Sequence, residues 1–344
     1  MNINILDDNE VVKLKGLISD AQNIIICCHK SPDGDALGSS LAWAEYLRYI
    51  GKQPLIAIPD AYPDFLQWLP NSEKVVRYDR HSDVVDPMFE KADLVFCLDF
   101  NDSQRLYNMQ TVFDSSKARR VMIDHHINPS LECDMSISFP ELSSTSELIF
   151  RIVWQLDAYE EMTTHFAVPI YAGMMTDTGA FTYSSSYPEI YFIISQLLTK
   201  RFDKDKIYRK VYNNYSDWCI RFRGYLMYQK LNVLAKEHAS YFVITREDMK
   251  RFHFIKGDAE GLVNEPLRIK GMRLSISLRE DTDRPNKIWI SLRSVDNYYC
   301  NELARDFFNG GGHPNAAGGS LDCTTEEAEI IVRQAIKRFA EIYE

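Results

Sequence analysis

The chain has 344 residues, 45% of them hydrophobic and 26% charged, and a formal net charge of −10. That length exceeds one compact core and fits two domains, and the balance is that of an ordinary globular protein without a disordered tail. The acidic charge argues against a duplex-DNA binder, whose affinity comes from a basic surface, but leaves room for a short anionic substrate where bound cations reverse the local field.

No apolar run approaches the ~20 residues needed to span a bilayer. Met1 to Glu10 is polar and acidic and lacks the basic and apolar segments of a signal peptide. A cytoplasmic location without a membrane partner is therefore expected. The seven cysteines include no Cys-x-x-Cys pair, and Cys27, Cys28 and Cys97 lie inside apolar runs. This pattern argues against a disulfide framework and a thiolate zinc site.

In chain order, Gln22 to Cys28 reads as a buried strand, and Ala36 to Ile50 has helical spacing ending at Gly51. Pro54 to Ile58, Asp93 to Asp99 and Arg120 to Asp124 read as further strands, with Met135 to Phe139 a short fifth. Continuous apolar strands alternating with helices predict an α/β fold, a doubly wound parallel sheet covered on both faces. Ser144 to Glu147 has capping-box spacing ahead of an apolar run, and a helix is expected from about Thr163 to Met175. Glu189 to about Lys236 reads as helical with no strand signal. Tyr241 to Thr245, Met272 to Leu278 and Ile288 to Leu292 then read as strands, with a polar turn from Arg279 to Lys287. A last amphipathic helix covers Thr325 to about Tyr343. The expected domains are 1–200, a helical connector at 201–236, and a smaller α/β domain at 237–344 across a cleft.

Four segments place metal-ligand residue types where strands end. His29, Asp33 and Asp35 follow the first strand in a turn shaped by Pro32 and Gly34. Asp35 is open to two readings, a helix cap ahead of Ala36 or a site carboxylate. Asp99 closes an apolar strand, where a carboxylate is costly unless paired or metal-bound. Asp124-His125-His126 ends the next strand, and Asp177 stands in a Thr-Asp-Thr-Gly turn. Asp and imidazole without thiolate suit Mn²⁺, and Mg²⁺ less well. Two such ions about 3.5–4 Å apart are a standard device for phosphate-ester hydrolysis, and Asp99 is placed to bridge them.

These residues resemble the DHH phosphoesterase family, named for the triplet that stands here as Asp124-His125-His126. The C-terminal Gly310-Gly311-Gly312-His313-Pro314-Asn315-Ala316-Ala317-Gly318-Gly319 resembles the signature of the associated DHHA1 domain. Size and layout look most like the oligoribonuclease and pAp-phosphatase (NrnA-type) branch. The resemblance implies one cation on His29, Asp33 and Asp99, and another on Asp35, Asp99, His125 and Asp177. His126 would meet the scissile phosphate or leaving group, with Asp124 orienting the histidines. Arg105 matches a recurrent arginine of the family, and the surface-arginine reading of it stays equally open. In the second domain Gly311, Gly312, His313 and Asn315 offer donors for an anion, and Arg293 matches the pattern of a phosphate grip. The implied substrates are RNA of two to five nucleotides and pAp, with no duplex DNA, acted on by a monomer or homodimer. Cyclic-dinucleotide hydrolysis, exopolyphosphatase-like activity and a non-catalytic nucleotide-binding module are the competing readings.

Overall fold

The computed structural model describes residues 3–255 and 257–343. The chain divides into two compact units, Met1–Asn214 and Tyr215–Glu344. In the first, β1 (Ile24–Cys27), β2 (Leu55–Ile58), β3 (Val76–Arg77), β4 (Leu94–Leu98), β5 (Arg119–Asp124) and β6 (Met135–Ser138) form one sheet. Its order is β3-β2-β1-β4-β5-β6, and every pairing is parallel.

The apolar runs are continuous because both faces of this sheet are covered. Ile24 and Ile26 of β1 and Leu94, Phe96 and Leu98 of β4 enter one core. Their alternate neighbours Ile25, Cys27, Val95 and Cys97 enter the other. Period-two alternation is thus present in space though hidden in the hydropathy pattern. Strand order reverses between β1 and β4, so the crevice at their carboxyl ends is where such a sheet places ligands.

Two helices close over that crevice. Gly34–Tyr49 and Thr164–Asp177 meet where a Cβ on Gly38 would lie 2.5 Å from the Pro169 carbonyl oxygen. A Cβ on Gly173 would lie 2.0 Å from Ser146 Oγ and 3.0 Å from Asp35 Oδ1. This close approach brings Asp35, in the first turn of one helix, toward Asp177, the last residue of the other. Asp177 therefore belongs to a helix rather than to the expected turn.

Three further expectations are corrected. Asp33, not Asp35, caps the helix Gly34–Tyr49, accepting from the Asp35 and Ala36 amides at 3.0 Å each. Ser144 does cap Thr145–Gln155, but Glu147 turns away to Ser143 and the buried Arg151, so the box is not reciprocal. The segment read as wholly helical ends in a strand, β7 (Asn232–Leu234).

The second unit is a mixed sheet. Strands β8 (Ala239–Ile244), β9 (Leu274–Glu280), β10 (Lys287–Ser294), β11 (Gly311–His313) and β12 (Ala316–Asp322) join β7 in the order β11-β12-β10-β9-β8-β7. Only β8 and β9 run parallel among the described pairs. Leu274, Ile276, Leu278, Ile288, Ile290 and Leu292 share a core with residues of the helices Asn301–Phe308 and Thr325–Tyr343. The glycine-rich segment is the hairpin β11–β12 rather than an open loop, and Gly312 takes φ +139, a conformation few other residues adopt. No helix among the described residues is long and apolar enough to cross a membrane.

Gly38→Ala should force the two site helices apart and cost roughly 1–3 kcal/mol, with about 2–4 °C of melting midpoint lost per kcal/mol. Gly16→Ala, whose Cβ meets nothing within 4 Å, serves as the control in the same thermal melt and should hold or raise the midpoint.

Candidate metal centre

Asp99 stands one residue beyond β4 with φ +63, while its amide donates to the Ile123 carbonyl at 3.1 Å. A non-glycine residue in the left-handed region is uncommon, with aspartate among the more tolerant types. The turn aims a carboxylate that is only 1% exposed into the crevice. Asp99 Oδ2 lies 3.3 Å from His29 Nε2, and Asp33 Oδ2 lies 3.8 Å from the same nitrogen. His29 Nδ1 is held by the Lys30 carbonyl at 2.8 Å, which turns Nε2 toward the carboxylates. His29, Asp33 and Asp99 each offer a ligand atom within 4.8 Å of the others.

A second group adjoins the first through the same aspartate. His125 Nε2 lies 3.2 Å from Asp177 Oδ2, 3.6 Å from Asp99 Oδ1 and 4.0 Å from Asp35 Oδ2. Asp35, His125 and Asp177 also offer ligand atoms within 4.8 Å of one another. The two oxygens of Asp99 therefore face different groups, Oδ2 toward His29 and Oδ1 toward His125.

The triplet splits its work. Asp124, fully buried, accepts from the His126 amide at 2.9 Å and contacts His126 Nδ1 at 2.7 Å. His125 instead reaches back to the Leu142 carbonyl through Nδ1 at 3.3 Å. Both histidines thus commit Nδ1 to protein acceptors, the arrangement that orients imidazoles in metal sites.

The electrostatics show what the cluster lacks. Burial, then the neighbouring Asp99 charge, pushes Asp35 up to about 7. Burial opposes ionisation of Asp99 too, but the His29 hydrogen bond and the three histidine charges hold it well below the ordinary carboxylate range. Burial works to lower His29 and His125, and the surrounding carboxylates outweigh it and raise both. Carboxylates and imidazoles this close hold protons that a divalent cation would replace, and the all-Asp/His donor set fits Mn²⁺ or a similar ion.

Three supporting residues carry no sequence signal of their own. The Thr145 amide donates to Asp35 Oδ2 at 2.7 Å and the Ser146 amide to Oδ1 at 2.8 Å, so a helix N-terminus meets this carboxylate. Thr145 Oγ1 donates to Asp99 Oδ1 at 3.0 Å. Buried Asn101 donates to the His126 and Ile127 carbonyls at 3.2 and 3.0 Å, and its own carbonyl accepts from Ser130 and Leu131, clamping the triplet loop to the end of β4.

Arg105 lies on a 3₁₀ segment, Ser103–Met109, whose carbonyl at 105 accepts from the Lys30 amide at 2.7 Å. Its charge is near enough to work against protonation of His29. In the second unit, His313 pairs with Ala316 and Ala316 with Arg293, so these side chains share one face of the sheet. Asn315 donates to Ser294 Oγ and the Asp296 carbonyl at 3.0 Å each, bracing the hairpin, while Gly311 and Gly312 are exposed.

A parallel sheet carrying carboxylates and imidazoles on adjacent strand ends, joined to a second α/β unit, defines an α/β protein with a candidate metal centre. Residues 23–174 match the DHH family, N-terminal domain, and residues 240–341 match the DHHA1 domain. The chain belongs to the DHH/DHHA1 family of phosphoesterases. It is 27% identical over 318 residues to the bifunctional oligoribonuclease and PAP phosphatase NrnA of Bacillus subtilis, covering 91% of this chain and 94% of that one. The crystal structure of an exopolyphosphatase-related protein from Bacteroides fragilis is 44% identical, with a TM-score of 0.93 and 98% of both chains covered. The Mn²⁺ complex of RecJ from Thermus thermophilus shares the fold at 13% identity and a TM-score of 0.56, over 99% of this chain and 56% of that one.

Two outcomes follow. Thr145→Val should remove the bond to Asp99 while keeping the amide bond to Asp35, lowering metal affinity or turnover by roughly 10- to 100-fold, read by Mn²⁺ titration and rate. The raised Asp35, His29 and His125 stabilise the metal-free fold most at low pH, and that contribution is lost as pH rises through their folded values, near 7 for Asp35. Chelator-treated protein should therefore melt lower at pH 8 than at pH 6, and added Mn²⁺ should raise the midpoint more at pH 8.

Proposed function

We propose that this protein hydrolyses phosphate esters in short nucleotides, using two divalent cations, with Mn²⁺ a better match than Mg²⁺. RNA of two to five residues would yield 5'-mononucleotides, and pAp would yield AMP and phosphate. The observation that carries the reading is Asp99, whose two oxygens face two separate Asp/His groups. The B. subtilis relative's name, oligoribonuclease and PAP phosphatase, supports the choice of substrate. The Mn²⁺ in the RecJ structure supports the choice of ion.

His29, Asp33 and Asp99 would hold one cation, and Asp35, Asp99, His125 and Asp177 the other. When bound, such ions act as Lewis acids on phosphoryl oxygen and lower the pKa of the attacking water. The remaining residues handle charge and protons. Asp124 fixes Nδ1 of His126, so Nε2 is the nitrogen that delivers a proton to the leaving oxygen, and the carboxylate stabilises the imidazolium beforehand. Arg105 faces the phosphate with a permanent charge. In the second unit Arg293 and His313, on one face beside Ala316, grip the distal phosphate, with the exposed amides of Gly311 and Gly312 at the hairpin edge and Asn315 holding the turn.

A second reading rests on the B. fragilis structure, whose name points to exopolyphosphatase. One assay with Mn²⁺ covers both, offering an RNA dinucleotide, pAp, cyclic di-AMP, pyrophosphate and polyphosphate side by side. Turnover of the dinucleotide and of pAp is expected, and turnover of polyphosphate alone would replace this reading by the second. Asp99→Ala should abolish hydrolysis and Mn²⁺ binding together. Arg293→Ala should mainly raise KM, since its contact is made equally in ground and transition states, and equal loss of metal in both variants would contradict the assignment.

A further inference from the structure

Tyr107 has a conformation that its packing does not explain. It lies inside the 3₁₀ segment Ser103–Met109 at φ 51, ψ −116, a backbone state that costs energy for a residue with a Cβ. A large side chain in such a state is ordinarily held there by burial, yet Tyr107 is 61% exposed. Its one described ring contact is Lys30 Nζ, 3.7 Å from the ring centroid. Lys30 directly follows His29, and its amide is bonded to the Arg105 carbonyl two residues before Tyr107. The ring is therefore held by the residue that follows His29 in the chain, with a cation over one face and most of its surface open to solvent.

We propose that Tyr107 is the stacking platform for the base of the nucleotide whose phosphate is processed, with Lys30 seated on the ring's opposite face. This rests on the nucleotide reading of the site and names a residue that sets its preference for base-bearing substrates. An aromatic face binds every base by stacking and so permits short strands of any sequence. Lys30 pins the ring by a cation–π contact on one face, which leaves the other face for a base. A purely structural ammonium–ring contact would hold the loop equally well with the ring tucked against the protein, and would leave the strained, exposed geometry without a use.

The test is calorimetric binding of AMP and of ribose 5-phosphate to the Mn²⁺-loaded wild type, Tyr107→Phe and Tyr107→Ala. The wild type and the Phe variant should favour AMP by roughly 5- to 150-fold, the range for one base stacked on an aromatic side chain. In Tyr107→Ala that ratio should fall to near one while ribose 5-phosphate still binds. An unchanged ratio in Tyr107→Ala, an equal loss of both ligands, or no preference in the wild type overturns the platform. Dinucleotide hydrolysis by the wild type is followed in parallel. Absent turnover with the Tyr107-dependent AMP preference intact would refute the oligoribonuclease reading alone, and turnover without that dependence would refute the platform alone.

Discussion

Like charge gathered in a largely buried crevice dominates this molecule. Asp35, Asp99 and Asp124 are buried within one crevice and Asp177 lies at its rim. An uncompensated buried carboxylate costs several kcal/mol. Everything around the crevice is arranged to compensate. Asp35 takes two amides from a helix start, Asp124 takes the amide and ring of His126, and Asp99 takes three imidazoles and a hydroxyl. What remains is a deficit of positive charge, expressed as histidines that retain protons and an Asp35 that resists losing its own. A divalent cation supplies that charge, so metal binding and the stability of the N-terminal unit are linked.

The scaffold that tolerates this deficit is rigid by construction. The strands β1 and β4, which lead into His29 and Asp99, are buried on both faces and lie next to each other in register, Cys27 opposite Cys97. The helices that bring Asp35 and Asp177 pack at backbone distance across Gly38 and Gly173. No donor depends on a long flexible side chain, which keeps the entropy lost on binding an ion small.

Much of this was legible before any coordinates. Apolar runs ending in Asp or His marked β1, β4 and β5 and the residues just beyond them, because burial makes a polar strand end conspicuous. Element limits drifted by a residue or two, as at β4, expected from Asp93 to Asp99 and found from Leu94 to Leu98. The supporting residues stayed hidden for physical reasons. Thr145 and Ser146 act largely through backbone amides, which every residue has, and Asn101 acts by joining two loops that are distant in sequence. The strands β11 and β12 were not among those expected because glycine lowers strand propensity, whereas pairing to β10 decides their state. Asp33 took the capping role open to Asp35 because the helix begins two residues early, at Gly34.

The bonds between Asp124 and His126 span two residues of one strand end, so this pair is wired locally. His29 and Asp99, by contrast, meet only because two strands keep their alignment. The two halves of the centre therefore differ in what they require from the rest of the fold. A local opening that slides β1 against β4 would separate His29 from Asp99 while leaving His126 oriented by Asp124. The Asp124–His126 pair is set by its own strand end, whereas the His29–Asp99 contact requires the sheet to keep its register.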